Sequence, residues 1–150
     1  MQHLFNLFHK LVGDAESETD DTEAITLAAT ALMMEVARSD QVKQEVELKT
    51  IKFILADTLN VSLERVNNLI YTAEESVETA HDLYQFSKVI NDLYDYKKKK
   101  QLIFAMWQVA FADGQVEAIE DHIIRRVAGL IHLSNADFIQ LKIQARDFSN

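Results

Sequence analysis

The chain has 150 residues, a net charge of −9 and neither cysteine nor proline. Without cysteine there is no disulfide, thiol catalysis or cysteine zinc site to consider, and a chain of this length buries enough apolar surface to form one domain unaided. Six acids and no base fall in DAESETDDTE (14–23); the remainder is near charge balance, a poor match to nucleic-acid phosphates.

With three glycines and no proline, hairpins and long irregular loops are disfavoured, whereas Leu, Ala, Glu, Lys, Gln and Met are plentiful. That composition favours helices. Residues 1–12 put Leu4, Phe5, Leu7, Phe8, Leu11 and Val12 on one helical face, with Gly13 placed to end the turn. This amphipathic segment (1–13) is a docking helix by its pattern, with Phe5, Phe8 and Leu11 as its contact residues. Its single lysine and the acids behind it argue against an anionic membrane surface. Docking on its own bundle or on a second subunit fits better, and a hinge of this length would permit a swapped homodimer. The acidic run (14–23) reads as a solvated hinge, leaving 24–150 as the folded domain. The opening MQHLFNLFHKLVG has no basic leader or small-residue cleavage site, so no secretory signal is expected. No run of about 18 apolar residues exists to cross a membrane. Cytoplasmic residence is the expectation.

Thr22 is a candidate N-cap. The stretch AITLAATALMMEVA (24–37) is apolar nearly all round and should be buried on most sides. It breaks at Arg38-Ser39-Asp40. The spacing of Val46, Thr50, Phe53, Ile54 and Leu59 predicts a helix over 42–59. Ser62 caps the next, over 63–79, with Leu63, Val66, Leu69, Ile70, Ala73 and Val77 inward. A fourth covers about 80–91. A fifth covers 92–112, where LIFAMWQVAF (102–111) is apolar save for Gln108 and Asp113-Gly114 is the stop. A sixth runs over 116–131, and Ser134 caps a last helix over 135–148.

The approaches to two of these helices repeat. EVARSDQVKQEVELKTI (35–51) lies over QVAFADGQVEAIEDHII (108–124) at an offset of 73, pairing Val36 with Val109, Ala37 with Ala110, Asp40 with Asp113, Glu47 with Glu120 and Ile51 with Ile124. After a one-residue slip, Ser62 pairs with Ser134 and Leu69 with Leu141. Each unit is an apolar helix, a break at an Asp, an amphipathic helix with a Glu seven residues on, and a Ser-capped helix. Duplicated units of this kind pack about a pseudo-two-fold axis. The expected fold is all-α: a helical bundle of about seven helices with two pseudo-repeated units.

The segment WQVAFADGQVEAIE (107–120), followed by IIRRVAGLIHLS (123–134) and joined by Asp82-Leu83-Tyr84, resembles the tellurite-resistance TerB-like family over about 22–148. The match is full at Ala112, Asp113, Gly114 and Glu120. The first unit departs from it, with Ser39-Asp40-Gln41 where Ala-Asp-Gly is the pattern. The resemblance implies a cytosolic bacterial protein of a stress or tellurite-resistance system, acting by contact with other proteins and binding a divalent metal through acidic residues. It implies no settled activity.

The residues admit two readings of those acids. Gly114 permits a positive φ at the break; Asp113 can accept loop amides while Glu120 reaches back to tie the loop. Alternatively Asp40, Glu47, Asp113 and Glu120, with Glu35 as an outside fifth, converge on a calcium or magnesium ion, which needs about six oxygens. No EF-hand loop is present. Glu35 and Gln108 sit at equivalent places on apolar helices, and each needs a partner there. His3, His9, His81, His122 and His132 form no metal-ligating pair at helical spacing. Lys97–Lys100 beside Tyr94 and Tyr96 read as a solvated segment with stems over apolar neighbours, and Arg125-Arg126 as solvated or acid-paired. No phosphate loop, nucleophile elbow or triad is recognisable. A non-enzymatic module is therefore expected, with a metal-free adaptor as the alternative and a metal-dependent enzyme as the remote one.

Overall fold

In the computed structural model, residues 18–39, 44–79 and 82–149 are described. The amphipathic segment with Phe5, Phe8 and Leu11, most of the hinge, Asp40, and His3, His9 and His81 lie outside them. The described residues form seven α-helices and no strand: α1 (Glu18–Arg38), α2 (Gln44–Phe53), α3 (Leu63–Thr79), α4 (Tyr84–Leu93), α5 (Tyr96–Ala110), α6 (Ala118–Leu130) and α7 (Asn135–Ser149). The all-α bundle expected from composition is what forms.

α1 is the central helix. From Ala24 to Ala37 every residue is buried except Glu35, because α3 and α4 cover it on one side and α5, α2 and α6 on the others. Leu27, Leu32, Met33 and Met34 are essentially inaccessible, each stabilising the fold by roughly 1.5–3 kcal/mol. Thr26 and Thr30, also in this buried run, donate their hydroxyls to Thr22 O and Thr26 O at 2.7 Å, so no polar group there goes unsatisfied. α5 is the second central helix, packed on α7, α1, α2 and α6. It carries Trp107, wholly buried, with its ring 5.3 Å from that of Phe138 on α7 and 6.1 Å from that of Phe111.

Several boundaries differ from those expected. The chain is already helical at Glu18, so 18–23 belong to α1, and Thr22 lies within it rather than capping it. Acids suit a helix N-terminus, where they face the positive end of the macrodipole. The helix expected over 42–59 is interrupted: Ile54–Thr58 forms a π-turn in which Leu59 N–H reaches Ile54 O at 3.0 Å. Leu63 is not inward but 79% exposed, since it occupies the first position of α3, ahead of the turn that meets α1. α4 starts at Tyr84, whose N–H is taken by Asp82 Oδ1 at 2.9 Å. The break between α4 and α5 falls at Tyr94-Asp95, where the Asp95 carboxylate accepts from Lys98 N–H at 2.9 Å and caps α5.

Two residues other than glycine have positive φ among the described residues, Asn60 (55°) and His132 (67°). Both end a helix. At His132 the next amide, Leu133 N–H, returns to Ala128 O at 2.9 Å, the Schellman arrangement that usually has glycine at the left-handed position. The two residues stand 72 positions apart.

Candidate functional site

The break between α5 and α6 is held by the two acids that the sequence singled out. Phe111 ends α5, and Gly114 N–H donates to Phe111 O at 2.8 Å. Gly114 has φ of +94°, and a Cβ there would meet nothing within 4 Å, so the glycine answers a backbone need and not a packing one. Asp113 is exposed, and its Oδ1 accepts from Gln115 N–H at 3.1 Å. At the far end, Glu120 is wholly buried in the first turn of α6, and its Oε1 accepts from Glu117 N–H at 2.9 Å. The loop is thus tied by a carboxylate at each end, and Glu120 makes half of a capping box.

Glu47 is the counterpart in the other half. It too is wholly buried, in the first turn of α2. Both acids face the positive ends of their helices, which offsets part of the cost of burying a carboxylate. Glu35 is half-buried on α1, and burial pushes its carboxyl up from the usual range, partly countered by the charge of Arg38. Among the described residues no group of three or more His, Asp or Glu could hold a metal ion. The expected set of Asp40, Glu47, Asp113 and Glu120 includes one member outside the described residues.

Two clefts open beside these helices. One, of about 640 Å³, lies by the Asp113-Gly114 break and is walled by Phe53, Phe111, Phe148 and Val46, with Lys49 and Gln108. Phe53 and Phe148 are 60% and 70% exposed, large apolar surface at its mouth. The other, of about 330 Å³, lies among the ends of α1, α3, α4 and α6, and holds Glu35, Arg38, Glu78, Asp82, His122 and Arg126. Neither was read from the sequence, since each joins helices far apart in the chain.

The remaining charges are mostly engaged. Lys98 and Lys100 place their ammonium groups 5.8 and 5.9 Å from the ring centres of Tyr94 and Tyr96, the lysine run lying over its aromatic neighbours. Tyr96 donates its hydroxyl to Asp137 and accepts from Ser134 N–H at 3.2 Å, joining the starts of α5 and α7. The hydrogen bonds from Tyr96 and Ser134 hold the Asp137 carboxyl below its usual range. Asp121 is the hub that the sequence did not mark: Lys142 reaches it at 2.6 Å and Arg125 at 3.3 Å. Burial alone would raise the Asp121 carboxyl, but these two cations outweigh it and hold it low. Lys142 also lies 5.0 Å over the Trp107 ring and Arg125 4.7 Å over Phe138.

No helix among the described residues is long and apolar enough to cross a membrane. No curated protein and no solved structure is significantly similar to the chain. A protein-family profile described as "Tellurite resistance protein TerB" matches residues 26–143, from the second turn of the buried part of α1 to the middle of α7. That match takes in both central helices, both buried glutamates and both clefts, and by it the chain belongs to the TerB family.

Proposed function

We propose that the chain is a non-enzymatic TerB module of a bacterial, cytosolic stress or tellurite-resistance system, acting by contact with other proteins. The observation that carries this reading is the aromatic cleft. Phe53, Phe148 and Val46 are exposed around one opening, and clustered aromatic surface on an otherwise charged protein is what a protein partner buries. In this reading Asp113 and Glu120 serve the fold: each accepts a backbone amide of the loop that flanks the cleft.

A second reading has one observation in its favour. Glu47 and Glu120 are both wholly buried at matching positions, and a calcium or magnesium ion shared with Asp113 and Asp40 would offset the cost of two buried carboxylates.

The proposal is tested by tellurite survival of a host lacking the chain, complemented with the native sequence or with Phe53→Asp/Phe148→Asp. Both positions are exposed, so the variant is expected to melt within about 0.5 kcal/mol of the native protein. Loss of protection by a folded variant supports contact through the cleft; full protection overturns it.

A further inference from the structure

The two clefts occupy matching places in the two halves of the chain. Shifting the aromatic cleft's residues by the 73-position offset turns Phe53 into Arg126, Lys49 into His122, and Thr50 into Ile123. The same offset takes Glu35 to Gln108 and Arg38 to Phe111. Walls built from corresponding helix positions have thus acquired opposite chemistry. Where one cleft presents two phenyl rings, the other presents two guanidinium groups.

Those guanidiniums are uncommitted. Arg38 and Arg126 make no ion pair with any carboxylate among the described residues, although Glu35, Glu78 and Asp82 line the same cleft. Elsewhere on the surface Arg65, Arg125 and Arg146 each have an acid partner. The charged cleft is also polar in a directed way. Its basic members, Arg38, His122 and Arg126, come from α1 and α6; Glu78 comes from α3, and Asp82 stands just before α4. A guanidinium fork matches the oxygens of phosphate or carboxylate, and two of them suit a doubly charged group. The acidic wall opposite would repel a plain anion and attract a ligand that also carries a positive charge.

We propose that the cleft between Arg38, Arg126, Glu78 and Asp82 binds a small zwitterion, its phosphate group held by the two arginines and its ammonium group facing the two acids. The volume of about 330 Å³ is at the small end of ligand sites and suits a molecule of a few heavy atoms beyond its phosphate.

The probe is phosphoethanolamine, titrated calorimetrically against the full chain, with inorganic phosphate and ethanolamine alongside. Saturable binding of phosphoethanolamine is expected, at least tenfold tighter than of phosphate, with none of ethanolamine. Arg38→Gln and Arg126→Gln each weaken it at least tenfold, while Arg65→Gln, outside the cleft, leaves it unchanged. Glu78→Gln narrows the preference over phosphate. Unchanged emission from the buried Trp107 certifies that each variant is folded. Flotation with phosphatidylethanolamine vesicles separates a lipid headgroup from the free molecule. Binding to either, lost in both arginine variants, upholds the site. No saturable binding to either at millimolar ligand, binding indifferent to both arginines, or phosphate bound as tightly as phosphoethanolamine overturns the proposal.

Discussion

Replacing Glu120 by alanine removes the acceptor for Glu117 N–H, 2.9 Å away, from a position that is wholly buried. Loss of a helix N-terminal tie costs about 0.5–2 kcal/mol, and a part-buried amide left without a partner adds a share of about 1–3 kcal/mol. The two overlap, so a total near 1–3 kcal/mol is expected. At this chain length each kcal/mol lowers Tm by roughly 2–4 °C, giving a loss of about 2–12 °C. Glu120→Gln keeps an acceptor oxygen at the same place and should lose less than half as much. The assay is guanidinium unfolding in EDTA, followed by emission of the one tryptophan, Trp107. An alanine variant with the native midpoint would refute the tie. A glutamine variant as damaged as the alanine one would show that the negative charge, and not the acceptor, is what the site needs.

Other outcomes follow from the same coordinates. His132 holds φ of 67° where glycine is the usual residue; His132→Gly should raise stability by up to about 1 kcal/mol in thermal melts, and Asn60→Gly by less, because Asn tolerates that region better. Burial raises the Glu35 carboxyl, so its ionised form is disfavoured in the fold and costs stability above the usual Glu range; Glu35→Gln should stabilise at neutral pH, and the gain should vanish in acid. Asp121 is the reverse case. Its carboxyl is held low by Lys142 and Arg125, so the stability it contributes is whole above the unfolded Asp value and is lost as pH falls through the lower folded one. Asp121→Asn should cost up to about 1 kcal/mol near neutrality and flatten the acid limb of a stability-against-pH curve.

What could be read along the chain was what depends on near neighbours. The helix over 63–79 and the one from 135 showed their apolar spacing and their serine starts, and Ala112-Asp113-Gly114 showed its stop because only glycine takes φ of +94° without strain. Glu120 could be picked out since a carboxylate three residues into a helix reaches back to its start. The π-turn at Ile54–Thr58 was hidden, because inserting one residue into a turn leaves the apolar spacing on either side intact. The acids at 18–23 looked like hinge for want of apolar residues, yet a helix anchored by the buried run after them extends through acids at little cost. The Asp121–Lys142 pair spans 21 positions, and the clefts join helices still further apart. The offset of 73 was visible between 35–51 and 108–124, but not that Phe53 and Phe111 would wall one cleft and Arg126 and Arg38 another.

The most direct test of whether the acids at the breaks serve the fold is a set of melts of the full chain in EDTA and with calcium, magnesium, manganese or zinc, beside Asp113→Ala. Asp113 ties the loop through Gln115 N–H, so the variant is expected to melt a few degrees low in EDTA, with no ion shifting either protein. A rise of roughly 5–11 °C with one ion, the effect of a cation at about 100 times its Kd, present in the native chain and absent from the variant, would contradict that account and establish a metal site.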